Sequence, residues 1–419
     1  MKPKLLFLSQ CLPYPPNSGV TNRTFHILRG LAASFDITLL AFSRKNHQGS
    51  SGEALAACEA LRHLGLRVFP PFRIASEHSR TAGLAAHFLS LVSGKPYTYF
   101  DYGDRNFCRA IQQVLSTDRP SLLHVDSLDL HRWLPMVEGL PIACTHHSIE
   151  SDLLRGRARF DRSPLVRAYM TRQAEAIERT ERQICPRLSL NVMMSDVDAA
   201  RLREVAPSVR TFVAPNGVDV AKMRPLKDRP VVKGRIAFLG PSYMLPNRDG
   251  VEHFLQDMWH IVRAARPDAT FQIIGKVAAD HRTTFESYPG VSCSGFVDDI
   301  RPHLAEAECF VVPLRIGGGT RLKILDAWAM GRPVVSTSVG CEGLMTEDGG
   351  NILIRDKPDD FARAVLEVLG DAERAGRLGA GGRQTAEARY SWDAIGASLA
   401  RAYESQIAQP ARFAEPMSV

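Results

Sequence analysis

Along this chain, short apolar runs alternate with longer stretches in which apolar residues recur at helical spacing. Lys4–Ser9 reads as a buried strand, followed by a proline-rich loop over 10–19, a helix over 21–33 and a second strand over 36–42. Further short strands are expected at Leu122–Val125 and Ile142–Thr145, and a helical stretch over 164–185 precedes another strand at 188–194. Residues 211–234 are rich in proline and charge and carry the turn signal Pro215-Asn216-Gly217-Val218-Asp219, which suits a linker. A second series then begins, with a strand over 235–240, a helix over 247–265, and strands over 270–275, 291–296 and 309–313. Strand and helix alternate in both halves, so the pattern predicts an α/β protein with two doubly wound parallel sheets. The 419 residues exceed what one core usually holds. The expected division is residues 1–213, residues 214–390, a helix over 391–407 and a loose tail over 408–419.

The segment 311–338, VVPLRIGGGTRLKILDAWAMGRPVVSTS, carries the densest chemistry. A β-branched strand runs into Gly317, Gly318 and Gly319, and then into a helix opening with Thr320, Arg321 and Lys323. Glycines let the main chain approach a ligand, and the first helical turn offers free N–H groups and the positive end of the dipole. Arg321 and Lys323 add full charges at the same strand end, where open α/β sheets bind ligands. Asp326 falls one turn beyond Lys323, where a ribose would lie if a diphosphate rested on the helix start. A nucleotide diphosphate is the ligand expected here. The competing reading makes Lys323 and Asp326 an i,i+3 surface pair.

This segment resembles the donor-binding signature of retaining GT-B glycosyltransferases of family 4, the group that builds bacterial exopolysaccharide and lipopolysaccharide. Their pattern has two glutamates with seven residues between them before Ala-x-Ala-x-Gly-x-Pro-Val. Asp326-Ala327-Trp328-Ala329-Met330-Gly331-Arg332-Pro333-Val334 matches its second half with aspartate for glutamate, while the first glutamate is replaced by Gly318. The resemblance implies two Rossmann-like domains facing across a cleft, residues 1–213 on the acceptor side and 214–390 holding the nucleotide sugar. It also implies a final helix over 391–407 that crosses back, and a loop Gly295-Phe296-Val297 in which Phe296 and Val297 lie beside the base. The run Gly-Gly-Gly-Thr-Arg-x-Lys resembles one branch of the family, and that resemblance implies that main-chain N–H groups and Arg321 hold the hexose in place of the glutamate.

Two loops of the first half are expected at the donor. Gly19 closes the loop Pro13-Tyr14-Pro15-Pro16-Asn17-Ser18-Gly19 ahead of a helix, either as a backbone approach to a phosphate or as an ordinary proline-stiffened turn. His146-His147-Ser148-Ile149-Glu150 follows the strand Ile142–Thr145, so an imidazole stands at a strand end. A histidine pair is more often structural. The resemblance places His147 near the donor sugar with Glu150 as its support.

Composition narrows the remaining choices. Charged residues make up 23% and hydrophobic residues 45%, with a formal net charge of +7, as in a soluble globular protein. Arginines cluster at 155, 157, 159, 162, 167, 172, 179 and 182, read as one solvated helix face paired with Glu175, Glu178 and Glu181 or as a basic surface for anionic lipid. No motif for nucleic acid accompanies them. The eight cysteines show no paired spacing and read as buried thiols of a reducing cytosol. No apolar run is long enough to span a bilayer, and the weakly charged stretch 82–92 reads as a buried helix and not a membrane anchor. The location expected is cytoplasmic, with peripheral contact at the inner face of the plasma membrane. Asp196-Val197-Asp198 has the look of a metal motif, but Ser195 ahead of it reads as an N-cap with Asp198 completing a capping box. No metal site and no cofactor is expected, the nucleotide-diphosphate sugar being a substrate.

These expectations describe transfer of a hexosyl unit to a glycan or lipid-linked acceptor, with retention and without a metal ion, the leaving phosphate being neutralised by Arg321, Lys323 and the helix start. A nucleotide-sugar epimerase of similar fold, and a non-catalytic nucleotide-sugar-binding partner, are the alternatives.

Overall fold

The computed structural model describes residues 2–137, 139–161, 163–316 and 321–408. The chain divides into two compact units, Met1–Pro215 with the chain from Ile395 on, and Asn216–Ala394.

In the first unit, β1 (Lys4–Ser9), β2 (Asp36–Ser43), β3 (Arg67–Val68), β4 (Phe72–Arg73), β5 (Leu122–Val125), β6 (Ile142–Thr145), β7 (Leu190–Met193) and β8 (Thr211–Val213) form one parallel sheet. The order is β3-β2-β1-β5-β6-β7-β8, with β4 pairing β2. In the second unit, β9 (Arg235–Leu239), β10 (Thr270–Ile274), β11 (Val291–Gly295), β12 (Cys309–Val312), β13 (Val334–Ser336) and β14 (Leu353–Ile354) run β11-β10-β9-β12-β13-β14, again all parallel. The central strands are buried along their length, which is why they read as unbroken apolar runs without alternation.

Strand order reverses direction once in each sheet, between β1 and β5 and between β9 and β12. At such a switch point the two following connections leave toward opposite faces and open a crevice at the carboxyl ends of the strands. Each sheet therefore has one built-in place for a ligand.

Several elements differ from the sequence reading. Residues 211–213 begin no linker: they form β8, in parallel register with β7. The helix expected over 247–265 is Leu245–His253, a π turn Phe254–Met258 and Trp259–Ala265, the wide turn letting Trp259 Nε1 donate to the Pro289 carbonyl (3.0 Å). The arginine-rich region is two helices, Glu150–Phe160 and Pro164–Ile184. There Glu178 accepts from Arg155 and Arg182, whereas Glu181 is buried on Ser151 Oγ (2.6 Å) and has its pKa raised to about 7, chiefly by burial. The stretch expected to be a buried helix is the helix Arg80–Ser93, and its large apolar side chains are exposed.

Candidate functional site

The crevice of the second sheet is built around Lys323. Gly240 ends β9 with φ +154°, and a methyl group there would stand 2.7 Å from Asn247 Cγ, so glycine is what lets Asn247 fold in beneath the strand end. Asn247 Nδ2 donates to the Pro241 carbonyl (3.1 Å), which orients its Oδ1 to accept from Lys323 Nζ (2.6 Å). The Lys323 bond thus joins a residue after β12 to one after β9, across the switch point. Below it the Phe238 ring centroid is 4.1 Å from Nζ. Burial, with the charge of Arg321 adding to it, lowers the lysine pKa to about 7. Among the described residues no carboxylate neutralises it.

The other expected residues fall around it unevenly. Arg321 caps the helix Leu322–Ala329 and is not within it. Its side chain is 6% exposed, donates to the Val339 carbonyl (2.7 Å) and lies 3.6 Å from Glu342, so it braces the loop after β13. Lys323 bonds Asn247 and not Asp326, so the surface-pair reading does not describe it. The Asp326 carboxyl has no hydrogen-bond partner among the described residues, and burial alone raises its pKa to about 7. Phe296, directly after β11, is 77% exposed, while Val297 packs partly against the core. Gly317, Gly318, Gly319 and Thr320 lie outside the described residues.

The crevice of the first sheet centres on Asp126, the residue after β5. It is buried, and its carboxylate accepts from Thr24 Oγ1 (2.7 Å) and Ser9 Oγ (3.3 Å), again spanning the switch point. Burial raises its pKa, but His147 and His124 outweigh that and hold it well below the usual carboxylate range. His147 Nε2 donates to the Asp126 carbonyl (2.9 Å) and lies 3.6 Å from its carboxylate. A carbonyl only accepts, so Nε2 carries the proton of this bond.

The structure separates the two histidines. His146 is buried on Asn191 Oδ1 (2.9 Å), and burial pushes its pKa down to about 4, which makes it a neutral structural residue. His147 remains partly exposed. Its partner is Asp126, whereas Glu150 accepts from Ser148 Oγ (2.8 Å). Gly19 begins the helix Gly19–Leu31 after a capping box on Ser18, and a methyl there would meet nothing within 4 Å. Arg23, buried in the same helix, donates to the Ala214 (2.7 Å) and Pro215 (2.9 Å) carbonyls. Ser195 Oγ accepts from the Asp198 N–H (3.1 Å), as its capping reading requires. Among the described residues, no three His, Cys, Asp or Glu side chains group as metal ligands.

Asn247 and Asp126 were not singled out from the sequence. Asp126 directly follows the buried strand β5, a polar residue where the apolar run stops, and that is the signal that could have marked it, whereas Asn247 lies in the helix Leu245–His253 and carries no such local mark.

Two parallel sheets with a polar crevice at each switch point define the GT-B class, and the comparisons agree. The chain resembles the Anabaena protein Alr3699/HepE in complex with UDP, with a TM-score of 0.63 at 14% identity over 96% of this chain and 100% of that one. Residues 233–371 match the family model described as glycosyl transferases group 1. An MMP alpha-(1->4)-mannosyltransferase of Mycolicibacterium hassiacum is 31% identical over 286 residues, 65% of this chain and 67% of that one. The chain belongs to the glycosyl transferases group 1 family. A GDP-mannose-dependent monoacylated alpha-(1-6)-phosphatidylinositol monomannoside mannosyltransferase of Corynebacterium glutamicum is 27% identical over 246 residues, 54% of this chain and 64% of that protein's length.

Proposed function

We propose that this protein transfers a hexosyl unit from a nucleotide-diphosphate sugar to a glycan or lipid-linked acceptor, with retention at the anomeric carbon and without a metal ion. The observation that carries this is Lys323, held by Asn247 across the switch point with its pKa near 7. As the bond between sugar and phosphate breaks, negative charge grows on the diphosphate, and a preorganised cation in a water-poor site stabilises that charge most effectively. The diphosphate brings Lys323 to full charge, so the stabilising group strengthens as the donor arrives. Asp326 is the ribose partner: hydroxyls donating to it would draw it back to the carboxylate form. Phe296 and Val297 take the base, Gly19 the neighbouring phosphate or sugar, and Gly317, Gly318, Gly319 and Thr320 the diphosphate. Arg321 holds the loop after β13 and adds its charge to the field at Lys323.

His147, steadied by Asp126, is the residue we assign to the donor sugar, with Glu150 holding Ser148 in the loop between them. Retention follows from the family 4 resemblance, with attack on the face from which the diphosphate leaves. GDP-mannose, named for the Corynebacterium relative, is the first donor to try. Peripheral contact of the arginine-rich helices with anionic lipid, on the cytoplasmic side, suits a lipid-linked acceptor. Among the described residues no helix is long and apolar enough to cross a membrane.

The test is a thermal-shift series with GDP-, UDP- and ADP-sugars, followed by transfer of labelled sugar to a membrane lipid extract in the presence of EDTA. One nucleotide should raise Tm in proportion to RT ln(1 + [L]/Kd), and labelled product should form with the anomeric configuration of the donor. No stabilisation by any nucleotide sugar and no release of nucleoside diphosphate would overturn the assignment. Turnover of UDP-N-acetylglucosamine without an acceptor would mark an epimerase instead.

A further inference from the structure

The helix Arg80–Ser93 is inside out. The side facing the protein is made of small residues, Gly83, Ala86 and Ser90, all buried. Leu84 (69% exposed), Phe88 (66%), Leu91 and Val92 (72%) face solvent, spaced as one continuous stripe. This orientation is fixed by specific bonds. Ser90 Oγ donates to the Lys95 carbonyl (2.6 Å) and accepts from Gln173 Nε2 (2.7 Å), His87 bonds the Tyr169 hydroxyl, and Arg172 donates to the Leu91 carbonyl (3.1 Å). Isolated exposed apolar residues are ordinary, but a contiguous stripe of large ones marks a surface that is covered in use.

At the carboxyl end of this helix lies a cavity of about 470 Å³ whose lining includes Ser93, Gly94 and Lys95 of that end, with Arg132, Arg179 and Arg187. Four of its lining residues are cations and none is acidic. Three are held by neutral groups: Arg132 donates to the Tyr99 carbonyl (2.9 Å), Arg179 to the Gly94 carbonyl (3.1 Å), and Lys95 Nζ stands 4.3 Å from the Tyr99 ring centroid. His131 in the same wall reports the field. Burial first, and then the charges of Lys95 and Arg132, push its pKa down to about 4 despite a bond to the Leu128 carbonyl. Ile184 and Arg187 precede β7 at its amino end, whereas Asp126 and His147 follow the carboxyl ends of β5 and β6, so this is a different place from the crevice.

We propose that this face docks on an anionic lipid bilayer, the stripe of Leu84, Phe88, Leu91 and Val92 entering the acyl boundary while the cavity takes a lipid head-group phosphate. An apolar stripe continuous with Lys95, Arg132 and Arg179, whose partners given above are neutral, is the pattern of a helix lying in the membrane interface. This extends the peripheral-contact reading above, sharing Arg179 with it and adding the helix Arg80–Ser93 and the cations at its carboxyl end.

The full-length protein is tested by co-sedimentation with phosphatidylcholine vesicles, with and without phosphatidylglycerol. Wild type should bind the anionic vesicles and not the neutral ones. The double variant Leu84→Ser/Phe88→Ser, at exposed positions, should lose binding tenfold or more, given about 0.8 kcal/mol per buried methylene. Lys95→Gln/Arg179→Gln should lose about tenfold and flatten the salt dependence. All variants should keep the wild-type Tm and donor-induced shift, so failure here is distinct from failure of the transferase reading. Wild type that ignores anionic vesicles, or either double variant binding them like wild type, would overturn the proposal. So would displacement of the protein from vesicles by millimolar glycerol phosphate, which would mark a site for soluble anions.

Discussion

Replacing Lys323 with methionine keeps a hydrocarbon stem over Phe238 and removes the ammonium that Asn247 holds. Burial takes the lysine from 10.5 to about 7. At about 1.4 kcal/mol per unit, keeping it charged in the empty fold costs up to about 5 kcal/mol, which its partial contact with water reduces to about half. The folded-state pKa lies below the unfolded one, so the unfolded chain binds more protons between these values and stability rises with pH across that window. Below the folded value the penalty is complete. Lys323→Met should therefore be more stable than wild type by about 2 kcal/mol near pH 6 and by about 1 kcal/mol near pH 9. Urea unfolding at the two pH values measures the difference, and comparing variant with wild type cancels every other titrating group. The same variant should lose its thermal response to nucleotide sugar and about 10²-fold in turnover. A residue that costs stability when the site is empty and is needed when it is full is what a preorganised charge site requires. A variant that is less stable at both pH values, or that keeps its donor response, would refute the reasoning.

Asp126→Asn should destabilise the first unit by about 3 kcal/mol, because it removes the charge that two imidazoles and two hydroxyls face. Since the folded pKa is depressed, wild type holds this stability above the ordinary carboxylate value of 3.8 and loses it as pH falls below, so the variant should show a flatter acid limb in urea titrations. His147→Ala should lower turnover by about 10² and also lower Tm, since the buried Asp126 carboxylate loses one of its two imidazoles, measured by nucleotide release and differential scanning fluorimetry. Gly382→Ala should cost about 2 kcal/mol and shift tryptophan fluorescence, because its methyl would stand 2.4 Å from Trp328 Cδ1 in the core of the second unit.

The alternation of strands and helices was legible because strands buried on both faces in a parallel sheet leave apolar runs with no other explanation. β8 escaped, since three residues of partial burial at a sheet edge carry too short a signal inside a proline-rich stretch. Lys323 stood out as a candidate because glycines, charges and a strand end mark it locally, whereas His147 was singled out through the family resemblance. Asn247 could not, as it acquires its role only when strand order brings two distant helices together at a switch point, and Asp126 was missed although it ends an apolar run. The stripe on the helix Arg80–Ser93 failed for a related reason. Its composition is that of a buried helix, and which face turns inward is decided by the bonds of Ser90 and Gln173, far apart in the chain. The Arg321 bond to the Val339 carbonyl carried no signal in the sequence, because that carbonyl lies in a loop whose position follows from β13.

The most direct measurement is a crystal structure with the nucleotide sugar that gives the largest thermal shift. It should show Lys323 Nζ within about 3 Å of a diphosphate oxygen at the carboxyl ends of β9 and β12, with Asp326 on the ribose hydroxyls. A donor bound elsewhere, or one seated in that crevice with Lys323 still bonded to Asn247 alone, would contradict it.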